Sequence, residues 1–140
     1  MKSTLKRILI PFAKMHRNYV GGKWEEIGKL QFDFLLSKGL KSDSYLLDIA
    51  GGSLRLGVKA IPYLERSHYL GIEKERALVK AGLEKELDSN IRKEKQPNII
   101  ISNSFEFEKL NQPADIAMAQ SLFTHLPPNL INLCFKNLYP

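Results

Sequence analysis

Apolar residues along the chain follow two patterns, a helical spacing and short continuous runs, and their alternation predicts a mixed α/β protein. The clearest helical pattern spans residues 24–37, and its apolar positions recur on one side of the predicted helix (Trp24, Ile27, Leu30, Phe34 and Leu35). Gly39 follows and is well placed to end that helix, because glycine readily adopts the left-handed backbone found at helix C-termini.

Four short apolar runs predict β-strands, over residues 45–50, 68–73, 98–102 and 114–119. The segments between and after them are predicted as two helices, a polar loop, a short helical turn, a second loop and a final helix (53–65, 74–87, 88–97, 105–110, 122–128 and 129–138). Such an order predicts right-handed crossovers and a parallel sheet that is covered by helices on both faces.

The charge divides the chain into a basic N-terminal arm, residues 1–23, and a neutral globular domain, residues 24–140. The chain of 140 residues carries 21 Lys and Arg against 15 Asp and Glu, a net charge of +6. Six of the basic residues and no acid fall within 1–24, so the remainder is balanced. The arm is either a helix that packs on the domain or one that lies on a membrane surface. Because the domain itself is not basic, no nucleic-acid partner is indicated.

The cysteine and histidine content excludes several kinds of site. The single cysteine, Cys134, lies in an apolar helical pattern and is predicted to fill the core, and no internal disulfide is possible. The three histidines are scattered and have no cysteine pair beside them, so no metal site is predicted. No run reaches the roughly 18 apolar residues of a membrane span, and no secretory cleavage site is evident. We therefore expect a cytoplasmic protein.

The segment 46–57 carries the main functional signal, because an apolar strand enters a turn of small residues, Ala50-Gly51-Gly52, and then a helix. Ligands of open α/β sheets bind at the carboxyl ends of the strands, where small residues let the backbone approach and the helix offers free N–H groups. Glu73 ends the next strand about 20 residues later, at the spacing of an acid that binds a ribose. This arrangement predicts a nucleotide-like cofactor.

The details of the turn favour S-adenosylmethionine over a nicotinamide dinucleotide. The G-x-G-x-x-G pattern that seats a pyrophosphate is absent. Asp48 precedes the turn by two residues, and its carboxylate would repel a pyrophosphate but suit an ammonium or sulfonium group. A nicotinamide-dependent oxidoreductase is accordingly disfavoured.

Three segments in the right order resemble the class I (Rossmann-like) S-adenosylmethionine-dependent methyltransferases, from about Gly21 to the C-terminus. Residues 46–57 are similar to the family's first motif, residues 68–75 to its second, and residues 114–128 to its strand-four segment. The resemblance implies a doubly wound parallel sheet of four strands in the order 3-2-1-4. It also implies a set of cofactor-binding residues: Asp48, Ala50, Gly51 and Gly52 at the methionine part, Glu73 at the ribose, Ser104 and Phe105 at the adenine, and Gln120 with Ser121 at the mouth.

The chain departs from the family pattern at three points. Ala50 and Leu54 stand where the first and third glycines of the usual G-x-G-x-G are expected, and Asn103 or Ser104 stands where an acid often follows strand three. Structural roles also stay open: Asp48 as a turn former or helix cap, Glu73 as a solvated strand end, and Phe105 as plain core.

Catalysis by such an enzyme needs orientation and a dry site more than a nucleophile, because methyl transfer is an in-line displacement. His125, in the loop after strand four, is a weak candidate for a general base, and a structural loop residue is its alternative reading. The methyl acceptor is expected to be a small molecule.

The family's full fold has seven strands, whereas this chain supplies four, so we expect a truncated product or fragment that binds its cofactor weakly or not at all. Strand four would then have an open edge, through which the chain could self-associate. Two functions remain: a methyltransferase of unknown substrate, and an inactive methyltransferase-like fragment that acts as an interaction module.

Overall fold

The computed structural model describes residues 15–19 and 22–139, and the rest of the N-terminal arm lies outside these residues. Its helices are α1 (Met15–Tyr19), α2 (Trp24–Ser37), α3 (Gly57–Tyr63), α4 (Arg76–Ala81), α5 (Ser89–Lys95) and α6 (Pro128–Leu138). Its strands are β1 (Leu46–Ile49), β2 (Tyr69–Glu73), β3 (Asn98–Ile101) and β4 (Ile116–Met118). A π-helical turn follows α4, and two 3-10 turns flank β4 (Gly82–Glu86, Phe107–Leu110 and Phe123–His125).

The four strands form one parallel sheet in the order β3-β2-β1-β4, which confirms the predicted fold class and strand order. In this register Asp48 lies opposite Gly71 on β2 and opposite Met118 on β4. All three crossovers return the chain in the same direction, so the loops after β1, β2, β3 and β4 converge at one end of the sheet.

Both faces of the sheet are buried, which explains why the central strands are apolar without alternation. Leu46 of β1 packs into one cluster with residues of α2 and α3, including Leu35 and Ile61. Leu47, its neighbour, faces the opposite side and packs with Leu110 and Cys134. Cys134 is 1% exposed, as expected of a core residue.

The prediction of a polar loop over residues 88–97 is wrong, because α5 occupies most of this segment. The Asp88 side chain caps α5 and accepts hydrogen bonds from the backbone N–H groups of Asn90 and Ile91, at 2.8 and 3.1 Å. The helix has no buried residue, so the sequence shows no apolar stripe. The helix predicted over 53–65 begins only at Gly57, and the one predicted over 74–87 is divided into α4 and the π-helical turn.

β4 is an edge strand, and its outer side pairs with no strand among the described residues. Ala117 is exposed and its neighbours Ile116 and Met118 are only half-buried, because that side of the sheet is uncovered. None of the helices that the structure describes is long and apolar enough to cross a membrane.

Two helical glycines let the backbone of the loop between β1 and α3 pack directly against neighbouring elements. A Cβ at Gly28 of α2 would lie 2.8 Å from the carbonyl oxygen of Arg55. A Cβ at Gly82 would lie 2.5 Å from the carbonyl oxygen of Ser53. Such distances leave no room for any side chain, so α2 and the π-helical turn hold the loop between them.

Replacing Gly82 with alanine is expected to destabilise the chain, although alanine forms helices better than glycine by about 1 kcal/mol. The added methyl group meets backbone, which cannot move aside as a flexible side chain would. We expect a net loss of about 1–3 kcal/mol in the free energy of unfolding, measured by urea denaturation. The control Lys80→Ala, exposed on α4, should change it by less than about 0.5 kcal/mol. A Gly82→Ala variant as stable as the wild type would contradict this packing.

Candidate cofactor site

A cavity of about 1140 Å³ opens at the carboxyl ends of the strands. The loops that follow β1, β2, β3 and β4 all contribute to its wall, and α2 and α6 add apolar residues. Most of the residues predicted for the cofactor line it: Asp48, Ala50, Gly51, Gly52, Glu73, Phe105 and Gln120. The weak catalytic candidate His125 lines it as well.

The loop after β1 has a left-handed backbone at every position where the family pattern has glycine. Ala50, Gly52 and Leu54 have φ angles of 57°, 58° and 69°. For residues other than glycine this conformation costs roughly 1–2 kcal/mol each. For Leu54, burial of the side chain offsets part of that conformational cost, since the side chain is 2% exposed and packs in the core. The loop thus keeps the expected backbone course despite the two departures from the glycine pattern.

Position 51 requires glycine because its backbone lies very close to the Asp48 side chain. A Cβ at this position would lie 2.7 Å from Asp48 Oδ2 and 3.3 Å from the hydroxyl oxygen of Tyr69. The loop backbone therefore lies directly over the buried carboxylate, and only glycine leaves that space open.

Asp48 is a buried carboxylate with one strong hydrogen bond. It is 3% exposed, and the hydroxyl of Tyr69 donates to its Oδ2 at 2.6 Å. Burial raises the pKa of Asp48 to about 6, and the nearby negative charge of Glu73 adds to the rise. The Tyr69 hydrogen bond and the positive charge of Arg55 act in the opposite direction. This contact with Tyr69 is neither that of a turn former nor that of a helix cap, the two structural roles that the sequence left open for Asp48.

Glu73 ties the first two loops together. Its Oε2 accepts a hydrogen bond from the N–H of Gly52 at 2.8 Å, and its Oε1 accepts from the N–H groups of Lys74 and Glu75 at 2.9 and 3.1 Å. With 7% exposure it is not a solvated strand end. Oε2 keeps a second lone pair for a ligand hydroxyl.

The loop after β3 places its residues differently from the sequence prediction. Asn103 lines the cavity, whereas Ser104 is not among the lining residues. The N–H of Ser104 donates to Ser102 Oγ at 3.3 Å, and its carbonyl oxygen accepts from Asn137 Nδ2 at 3.3 Å. Phe105, with φ 53°, lines the cavity and also packs against the core. Its surroundings therefore suit both predicted roles, as a contact for the adenine and as a core residue.

Tyr69 was not among the predicted site residues, although the strand register contains the signal for it. Gly71 lies opposite Asp48, and a Cβ at Gly71 would lie 3.3 Å from Tyr69 Cε1. The tyrosine ring therefore passes beside the glycine and reaches the carboxylate. Burial and the Asp48 carboxylate raise the pKa of Tyr69 well above its ordinary value, so the hydroxyl stays a donor.

Comparison with known proteins finds similarity only at the level of structure, since no family profile and no curated protein matches the chain. Magnesium protoporphyrin IX methyltransferase from Synechocystis PCC 6803, solved with bound SAM, aligns over 81% of the chain with 13% identity and a TM-score of 0.64. A SAM-dependent methyltransferase from Archaeoglobus fulgidus aligns over 93% with 19% identity and a TM-score of 0.57. A protein from Pyrococcus horikoshii OT3 aligns over 81% with 17% identity and a TM-score of 0.58.

The alignments cover 52% or 53% of each solved chain, so this chain spans about half the length of the structures that it matches. Two of the three are methyltransferases, one solved with SAM and one described as SAM-dependent. The chain therefore has the Rossmann-like fold of class I methyltransferases, as the resemblance of its motifs predicted.

The raised pKa of Asp48 predicts how stability depends on pH. The folded chain binds this proton more tightly than the unfolded chain, whose aspartate pKa is about 4. The contribution of Asp48 to stability is therefore complete below about pH 4 and is lost as the pH rises through about 6. The loss is on the order of 2–3 kcal/mol.

Asp48→Asn removes this titration and keeps an oxygen acceptor for Tyr69. We compare the free energy of unfolding of Asp48→Asn with that of the wild type by urea denaturation at two pH values. The difference, variant minus wild type, should be about 2 kcal/mol larger at pH 7.5 than at pH 4.5. The control Asp43→Asn, at an exposed position, should show no such change. If the difference in free energy of unfolding is the same at both pH values, the prediction that burial raises the pKa of Asp48 is wrong.

Proposed function

We propose that this chain binds S-adenosylmethionine in the cavity of about 1140 Å³ and belongs to an enzyme that transfers the methyl group to a small-molecule acceptor. The observation that carries the proposal is the buried Asp48 carboxylate beneath the Gly51-Gly52 backbone, joined through Gly52 to Glu73. Because the chain spans about half the length of the methyltransferases that it matches, the activity and acceptor of the whole enzyme are part of the proposal.

The charge of the site favours a cationic ligand. Asp48 and Glu73 are both nearly buried and lie on either side of the loop after β1. A ligand ammonium or sulfonium group near Asp48 would compensate a carboxylate whose ionisation burial disfavours. A pyrophosphate would instead bring two more negative charges toward both acids, so a dinucleotide suits this site poorly.

Glu73 supports a nucleoside that reaches the same loop. The free lone pair of Oε2 can accept a ribose hydroxyl, while the hydrogen bond from Gly52 holds that oxygen beside the loop after β1. Asn103 and Phe105 stand at the far wall, where an amide and an aromatic ring can contact a base. One ligand with a cationic tail, a ribose and a base would contact all three groups.

The residues of the chain would position the reaction and keep water out. When bound, S-adenosylmethionine supplies an electrophilic methyl group on sulfur. Gln120 and Ser121 after β4 would orient the acceptor, and Leu126 and Leu130 would exclude water from it. His125 lies on the same wall and could remove a proton from the acceptor.

An inactive interaction module is the second candidate, and the open outer edge of β4 favours it. An edge with half-buried apolar residues, Ile116 and Met118, can add a strand from a second copy of the chain. A chain that binds neither cofactor nor product and sediments as a dimer would support this candidate. Cofactor binding by a monomer would reject it.

Isothermal titration with S-adenosylhomocysteine tests the proposed function. We expect weak binding by the wild type, with a Kd between about 10 µM and 1 mM, because the chain spans about half the length of the structures that it matches. Asp48→Asn and Glu73→Gln should each weaken binding about tenfold or more, since each removes a charge that contacts the ligand. The control Glu94→Gln, exposed on α5, should bind as the wild type does. Equal affinity in all four proteins would contradict the site.

A further inference from the structure

The loop after β1, the π-helical turn and α1 each contact the other two. The π-helical turn touches the loop where Gly82 packs on the carbonyl oxygen of Ser53. The loop touches α1 where Ser53 Oγ donates to the carbonyl oxygen of His16 at 3.2 Å. The turn touches α1 through Glu86, its last residue. Ser53 itself is 0% exposed.

Glu86 binds α1 with both carboxylate oxygens. Arg17 donates from Nε to Oε1 and from Nη2 to Oε2, both at 2.7 Å, and His16 Nε2 contacts Oε1 at 2.5 Å. The side chains of His16 and Glu86 are 7% and 9% exposed, so little water screens the contact. Burial would raise the pKa of Glu86, but the hydrogen bonds from Arg17 and His16 outweigh burial and lower it.

Helix α1 and the residue before α2 contribute to the cavity wall. Asn18 of α1 and Lys23 line the cavity. Arg55 Nη1 donates to the carbonyl oxygen of Gly22 at 3.3 Å, which fastens the end of this segment to the loop after β1. Trp24 packs under α1, with Arg17 4.9 Å above its ring and His16 at its edge.

Within the described residues, Met15–Tyr19, α1 contacts the domain through Glu86, Ser53 and Trp24. Met15 is 38% exposed and Asn18 is exposed, whereas His16 is buried against Glu86 and the edge of Trp24. Breaking the Glu86 contact removes the buried ionic part of this attachment and is expected to loosen α1, while the sheet, which α1 does not enter, stays folded.

We propose that α1 is a lid on the cofactor cavity and that Glu86 is the latch that holds it closed. The link to the cofactor rests on the proposed function, whereas the latch rests on the contacts alone. Ligand binding favours the closed lid, since Asn18 and Lys23 form part of the wall, and by linkage a loosened latch weakens ligand binding.

Fluorescence of Trp24, the only tryptophan of the chain, tests the latch directly. Trp24 is 6% exposed under α1, so acrylamide quenching reports whether the lid is open. We expect Glu86→Gln to raise the quenching constant at least about twofold, and the matched control Glu84→Gln, exposed on the same turn, to leave it unchanged. Arg17→Gln should act as Glu86→Gln does, and the double variant should add little more.

Hydrogen exchange separates lid opening from general loosening. The N–H of Gly22 donates to the carbonyl oxygen of Arg17, so its exchange should quicken about tenfold or more in Glu86→Gln, while Ile49 and Ile72 in the sheet keep their rates. Unchanged quenching in Glu86→Gln, or faster exchange throughout the sheet, would overturn the latch.

Repeating the quenching with S-adenosylhomocysteine tests the coupling. We expect the ligand to lower quenching in the wild type and to bind about three- to tenfold more weakly to Glu86→Gln. Binding that leaves quenching and affinity the same in both proteins would overturn the lid. A wild type that binds no ligand would overturn the proposed function, and the quenching and exchange results would still decide the latch.

Discussion

The backbone of the loop between β1 and α3 is the constraint on which the cavity, the helical layer and the lid all depend. Gly28 and Gly82 bring two helical elements against its carbonyl oxygens, at distances that admit no side chain. Glu73 binds its N–H at Gly52, and Ser53 binds α1. The left-handed residues Ala50 and Leu54 persist because these neighbours hold the loop from every side.

Two buried carboxylates give this loop its chemical character. Asp48 lies beneath it, held by Tyr69, and Glu73 lies beside it, held by three backbone N–H groups. The second acid is well satisfied, whereas the first has one hydrogen bond within the part of the chain that the structure describes, and its pKa is raised to about 6. A site that carries an incompletely compensated carboxylate is suited to a ligand that brings positive charge. This difference connects the fold to the proposed cofactor.

The sequence predicts the fold well because the central strands are buried on both faces and their apolar runs are unmistakable. It also predicts that Asp48, Ala50 and Glu73 lie at one end of the sheet, since strand ends in a parallel sheet converge, and all three line the cavity there. It does not predict Tyr69 as a partner of Asp48, which depends on the register of two strands, or Glu86 as a partner of α1, which depends on distant packing. It misses α5 because no residue of that helix is fully buried and Ile91, which packs against the core, is only partly buried. The sequence prediction includes Ser104, whereas its neighbour Asn103 is the residue that lines the cavity.

Chemical-shift mapping by ¹H–¹⁵N NMR, with S-adenosylhomocysteine added to the labelled chain, tests the central claim most directly. Binding in the cavity predicts saturable shifts of the backbone amides of Gly51, Gly52, Lys74 and Asn103, which three separate loops contribute. The amide signals of α5 and of the first 3-10 turn, Phe107–Leu110, should not shift, because none of these residues lines the cavity. No shifts up to about 1 mM ligand, or shifts confined to residues outside those loops, would contradict a cofactor site at the ends of the strands.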